Sequence, residues 1–122
     1  MKIGYTYILT NKNRTTLYVG VTSDLIKRVA QHKSHYYKNS FTSKYNVEYC
    51  IYFEKFPNIL EAIRREKEIK KWSRIKKENL INKVNPEWIE IDVKNRNKPI
   101  PFKDEVQKLA NDFLKDNGEK ND

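Results

Sequence analysis

Residues 3–9, IGYTYIL, set apolar side chains at every second position of a run of strand formers, with Ile3, Tyr5, Tyr7 and Leu9 on one face. The polar stretch NKNRT, 11–15, interrupts the pattern. Residues 16–21, TLYVGV, resume it with Leu17, Val19 and Val21 on one side and Tyr18 and Gly20 on the other. Two short strands joined by a short polar link predict a β-hairpin. The period then lengthens. Ser23-Asp24 offers an N-cap, and Leu25, Val29 and Tyr36 form the stripe of an amphipathic helix over about 24–37. Residues 39–45 are polar and read as loop. VEYCIYF, 47–53, restores the alternation, with Val47, Tyr49, Ile51 and Phe53 on one face. Pro57 ends that strand, and Asn58 followed by Glu61 resembles a capping box. It predicts a long helix over 59–72 with Ile59, Ala62, Ile63, Ile69 and Trp72 inward. A further helix over 74–83 carries Ile75, Leu80 and Ile81, and Asn85-Pro86 breaks it. KNRNKPIP, 94–101, reads as a connector. Phe102, Val106, Leu109 and Phe113 then recur at helical spacing, and the closing DNGEKND reads as a disordered tail.

The order β-β-α-β-α-α plus a C-terminal helix predicts a small α+β domain, a three-stranded sheet flanked by helices. The direction of the third strand is left open by the pattern. With 122 residues, 38% of them hydrophobic, one domain with a small, aromatic-rich core is expected.

Charge adds a direction. Twenty-five Lys and Arg against 16 Asp and Glu give a net charge of +9, which favours polyanions, nucleic acid before anionic membrane. The single cysteine, Cys50, sits in an apolar run and is expected as a buried thiol. No stretch approaches the ~20 apolar residues of a membrane span, and no leader pattern opens the chain, so a cytoplasmic protein without a membrane partner is expected. One Cys and two His exclude a closed zinc site, and three Gly leave no phosphate-binding glycine loop.

Several polar residues stand at inward positions. On the first helix Arg28 lies three residues after Leu25, and His32 four after Arg28, so both border the buried stripe. A solvated arginine and a polar rim histidine fit that spacing too. Glu66 stands three after Ile63, four after Ala62 and three before Ile69, inside the stripe of the long helix. A carboxylate there needs a cation, hydrogen bonds or a metal, and Arg28 is one candidate partner. Tyr7 and Tyr18 fall on the hairpin strands, as core residues or as site residues. Gly20 within a strand indicates either a bulge or close approach by a backbone or ligand. Arg64, Arg65, Lys67, Lys70 and Lys71 crowd the outer side of the long helix, and Lys33 lies on the first one.

In this order the residues resemble a family. Tyr5-Thr6-Tyr7 followed by Tyr18-Val19-Gly20 resembles the paired motif of the GIY-YIG endonucleases. Arg28, His32, the Ala62-x-x-x-Glu66 helix and Asn85 in Asn85-Pro86-Glu87-Trp88 follow at compatible spacings. Tyr5 and Thr6 replace the motif's first glycine and its isoleucine, and Val19 replaces the second isoleucine, while the tyrosine that ends the first motif and the tyrosine and glycine of the second are kept. The resemblance spans 1–90, leaving 91–122 as connector, C-terminal helix and tail. It is nearest to the small standalone bacterial proteins related to the nuclease subunit of excision repair.

The resemblance implies metal-dependent hydrolysis of DNA phosphodiesters, in DNA repair or processing. Glu66 would hold Mg²⁺, with Mn²⁺ as a substitute, and Arg28 would neutralise transition-state charge. Tyr7, Tyr18 or His32 would orient or deprotonate the attacking water, and Asn85 would position. Gly20, Lys33, Arg64, Arg65, Lys70 and Lys71 would meet the nucleic acid. The substrate would be branched, damaged or duplex DNA, with RNA left open, and a partner protein is one route to targeting. A non-catalytic nucleic-acid-binding module of the same fold is the alternative.

Overall fold

The computed structural model describes residues 2–94. A three-stranded antiparallel sheet has the order β2-β1-β3, formed by β1 (Gly4–Thr10), β2 (Leu17–Thr22) and β3 (Tyr49–Phe56). Between β2 and β3 lie α1 (Leu25–Lys33) and a four-residue helix α2 (Phe41–Lys44); α3 (Ile59–Lys70) and α4 (Arg74–Val84) follow. The α+β order read from the pattern holds, and the third strand runs antiparallel to β1. Residues 95–122, including the expected connector, C-terminal helix and tail, lie outside the described residues.

β1 is central and buried along its whole length, so its two faces anchor two half-cores. Tyr5, Tyr7 and Leu9 pack with Leu25 and Val29 of α1 and with Val47, Cys50 and Phe53. Ile8 packs on the other side with Val19, Ile51, Tyr52, Ile69 of α3 and Ile81 of α4. There α3 comes very close to the sheet. A Cβ on Gly4 would lie 2.7 Å from Ala62 Cβ, and the Thr6 hydroxyl donates to the Ala62 carbonyl at 2.7 Å.

Four elements differ from the pattern. First, α1 stops at Lys33, where the Ser34 amide caps it, and Tyr36 is 64% exposed instead of joining the stripe. Second, residues 41–44 are helical, because Ser40 is an N-cap whose hydroxyl accepts from the Ser43 amide. Third, β3 runs from Tyr49 to Phe56, and its alternation is broken. The register shifts between Ile8 and Leu9, which pair with Tyr52 and Cys50. Ile51 is the extra residue of a bulge, so Ile51 and Tyr52 both face α3 while Cys50 and Phe53 face α1. Fourth, Ile75 of α4 is 68% exposed, leaving Ile81 as that helix's buried residue.

The N-caps of α1 and α3 are as read: Asp24 accepts from the Lys27 amide, and Asn58 from the Glu61 amide while donating to the Glu61 carboxylate. Cys50 is fully buried, and burial pushes its thiol up to about 12. Past α4 the Ile91 amide donates to the Cys50 carbonyl and Val93 is buried in the α1-side core. Among the described residues no helix is long and apolar enough to cross a membrane.

Candidate active site

The hairpin register sets Tyr7 directly opposite Gly20, and both face α1. A Cβ on Gly20 would lie 2.4 Å from Cζ and from the hydroxyl oxygen of Tyr7. What approaches this strand glycine so closely is therefore the Tyr7 phenol, which lies across the main chain of β2. Tyr18, two residues earlier on the same face, has its ring centroid 6.4 Å from that of Tyr7. From α1, the buried His32 meets both rings, at centroid distances of 5.8 and 5.7 Å. Its Nε2 is 3.0 Å from the Tyr7 hydroxyl. Arg28, one turn earlier on α1, stands near enough for its charge to act on that same hydroxyl.

Proton positions follow from the chemistry of these groups. Burial, reinforced by Tyr18, raises the Tyr7 phenol well above its usual range, against the opposing pull of Arg28. Tyr7 thus keeps its proton. Burial, with the Arg28 charge, lowers His32 to about 4, so its ring is neutral at pH 7. Arg28 can only donate, and we assign the Tyr7 O–H as the donor to His32 Nε2. The remaining ring proton then sits on Nδ1, which is 3.0 Å from the Thr42 hydroxyl. Thr42 is 3.2 Å from the Ser40 hydroxyl, the N-cap of α2. The chain runs Tyr7 to His32 to Thr42 to Ser40, and it fixes the histidine tautomer. Thr42 was invisible to the sequence reading because it lay in a stretch read as loop. The polar Ser40 ahead of Phe41 was the signal that could have found α2.

The other predicted residues are placed elsewhere. Glu66 is buried on α3, which packs against the face of the sheet opposite Tyr7, and Lys70 Nζ stands 2.5 Å from its carboxylate. Arg28, one candidate counter-ion from the sequence, is instead on the Tyr7 side. Asn85 is the C-cap of α4 and is engaged with main chain. Its amide donates to the Ile51 and Ile89 carbonyls and its oxygen accepts from the Ile89 amide. Arg65 does not point outward: it holds the fully buried Glu54 through two hydrogen bonds of 2.9 and 3.0 Å, reaches Glu68, and covers Trp72. Glu54, also bonded by the Tyr52 hydroxyl, is the buried carboxylate that the reading of the pattern missed. Lys33 pairs with Glu90 and lies over the Tyr49 ring. Arg64, Lys67 and Lys71 are exposed.

A family model described as the GIY-YIG catalytic domain matches residues 3–79. The chain belongs to the GIY-YIG family of nucleases. That span takes in Tyr7, Tyr18, Gly20, Arg28, His32 and Glu66 and stops before Asn85. A UPF0213 protein of Syntrophus aciditrophicus is 36% identical over 87 residues, 71% of this chain and 98% of that one. A UPF0213 protein of Natronomonas pharaonis is 36% identical over 77 residues, 63% of this chain and 88% of its own. The solution NMR structure of the UPF0213 protein BH0048 from Bacillus halodurans superposes with a TM-score of 0.47 at 30% identity. It covers 70% of this chain and 89% of that one. Within this GIY-YIG chain the paired motif supplies the Tyr7–Gly20 contact itself: the tyrosine that ends the first half and the glycine that ends the second are cross-strand neighbours.

Proposed function

We propose that this chain is a divalent-metal-dependent DNA endonuclease that hydrolyses phosphodiester bonds. The observation that carries the reading is the Tyr7 hydroxyl 3.0 Å from the neutral His32 Nε2, under the influence of the Arg28 charge and packed on a strand glycine. A permanent cation next to a phenol and a proton acceptor supplies the charge stabilisation and the proton path that in-line attack on a phosphate diester uses. Tyr18, the half-buried member of the cluster, faces the solvent side and orients the attacking water. Tyr7 is itself fully buried, so it acts behind Tyr18 as a relay: Tyr18 passes its proton to the Tyr7 hydroxyl as it takes the water's, and Tyr7 releases its own to His32 Nε2. Arg28 neutralises the charge that grows on the phosphate oxygens.

Among the described residues no group of three or more His, Cys, Asp or Glu side chains could hold a metal, so a cage made wholly of protein ligands does not fit. A single carboxylate does fit, because Mg²⁺ takes one or two carboxylates and completes its shell with waters and phosphate oxygens. Glu66 would be the residue for it by the family resemblance: it is buried on α3 with exposed Lys70 as its counter-ion, across the sheet from Tyr7 and not in contact with the Tyr7 cluster. When bound, Mg²⁺ or Mn²⁺ supplies Lewis-acid stabilisation of the leaving oxygen. Exposed Arg64, Lys67 and Lys71 grip the phosphate backbone without reading sequence.

The test is cleavage of supercoiled and branched DNA in Mg²⁺. Wild-type protein nicks the substrate, and Arg28→Ala and Glu66→Ala each lose that activity. Full activity in Glu66→Ala overturns the metal assignment. Salt-sensitive DNA binding without cleavage in Mg²⁺ or Mn²⁺ overturns the hydrolytic reading.

A further inference from the structure

Four aromatic side chains between α1 and β3 are exposed although the core is small: Tyr36 64%, Tyr37 51%, Phe41 49% and Tyr45 57%. Two of them continue the aromatic cluster outward. The Phe41 ring lies nearly parallel to Tyr18, at 24° and 6.4 Å between centroids, and Tyr45 lies 4.8 Å beyond Phe41. An unbroken row therefore leads from Tyr7 and His32 through Tyr18 and Phe41 to Tyr45 in open solvent. Phe41 opens α2 and Tyr45 is its C-cap, four residues apart and so on one side of that turn.

Exposing such rings costs hydrophobic free energy, and paired bases offer them nothing, since both faces of each base are already stacked. Unpaired bases present free faces. The surroundings match in charge: Lys38 and Lys44, each within three residues of Phe41 along the chain, are exposed, Arg28 acts on Tyr7 at the inner end, and the chain carries +9. This combination of a stacking row and a basic flank is the pattern of a single-strand binding platform.

We propose that Phe41 and Tyr45 form a stacking platform for unpaired bases, so that the preferred substrate is DNA single-stranded next to the scissile phosphate. This rests on the nuclease reading above and names its substrate class. A strand leaving the Tyr7 site along the row stacks its first base on Phe41 and its next on Tyr45, and α2 thereby couples substrate grip to the Thr42 contact that orients His32.

The test uses full-length protein in EDTA, so that binding is read apart from cleavage. Fluorescence anisotropy compares a fluorescein-labelled 12-mer single strand, its duplex, and the same single strand carrying consecutive abasic sites. The wild type binds the single strand more tightly than either of the other two. Tyr45→Ala lowers single-strand affinity roughly tenfold relative to duplex affinity, and Phe41→Ala does the same. Phe41→Trp keeps a ring and the affinity, and its indole fluorescence is quenched by the intact strand but not by the abasic one. Equal loss on single strand and duplex, or no loss in either alanine variant, overturns the platform. So does light scattering that shows Tyr45→Ala abolishing self-association with single-strand affinity intact. Single-strand preference without cleavage in Mg²⁺ leaves the platform standing and overturns the hydrolytic reading alone.

Discussion

His32 carries the tightest link between local environment and chemistry. Desolvation and the Arg28 charge hold it neutral, with a folded-state value of about 4 against 6.5 for a free histidine. The unfolded chain binds the proton first, so the resulting stability is fully present above pH 6.5 and is lost as pH falls toward about 4. The loss is roughly 3 kcal/mol at most, discounted by whatever solvent reaches the ring. Urea denaturation between pH 7 and 4 should show the midpoint falling across that window. A His32→Gln variant should show a flatter profile there, since glutamine does not titrate. The sequence indicated that His32 and Arg28 share a helix face, but the spacing equally fitted a polar rim. What decided the matter was Thr42, ten residues on, whose hydroxyl meets Nδ1. A contact made through a separate short helix leaves no periodic trace. Gly20 is the converse case. Its place in a strand left a bulge or a close approach open, and register to Tyr7 identified a close approach and the group that makes it.

At the scale of elements, the hairpin, α1 and α3 were legible because each has its own period and its own cap. β3 was legible as a strand but not in its facing, because a bulge at Ile51 is set by pairing with β1 and not by local sequence. α3 was legible in its inward stripe but not in its charges. Arg65 looks like one of five outward cations, yet it is folded onto Glu54, which is 1% exposed. The strand supplies a buried carboxylate, the helix supplies the fork that satisfies it, and Tyr52 completes the set. Removing the guanidinium leaves that carboxylate unpaired. Arg65→Ala should therefore destabilise the protein by about 3 kcal/mol, measured as a drop in the urea midpoint. An additional Glu54→Gln substitution should recover part of the loss. A surface arginine would give under about 1 kcal/mol.

For the molecule as a whole, net charge overstates the cations available to DNA. Lys33, Arg65, Lys70 and Arg74 are engaged with Glu90, Glu54 and Glu68, Glu66, and Glu78. Arg64, Lys67 and Lys71 on α3 are exposed. Removing one cation that binds a phosphate makes the slope of log affinity against log salt shallower by about 1. Lys67→Ala and Lys71→Ala should each show that decrement in DNA-binding titrations from low to moderate salt. Lys33→Ala, whose ammonium serves Glu90, should leave the slope near the wild-type value. The sequence made the sign of the field and the fold class plain. The division of lysines and arginines between internal pairs and open surface depends on which strands and helices meet.

The central claim is that Tyr7, beside a neutral His32 and under the influence of the Arg28 charge, forms a hydrolytic centre. Its most direct test is the single-turnover rate of DNA cleavage in Mg²⁺ for the wild type and for Tyr7→Phe, with folding of both checked by circular dichroism. Phenylalanine keeps the ring against Gly20 and removes only the hydroxyl that meets His32. The expected result is a rate at least about 10²-fold lower in a variant that remains folded. A folded Tyr7→Phe protein that cleaves at the wild-type rate would contradict the claim.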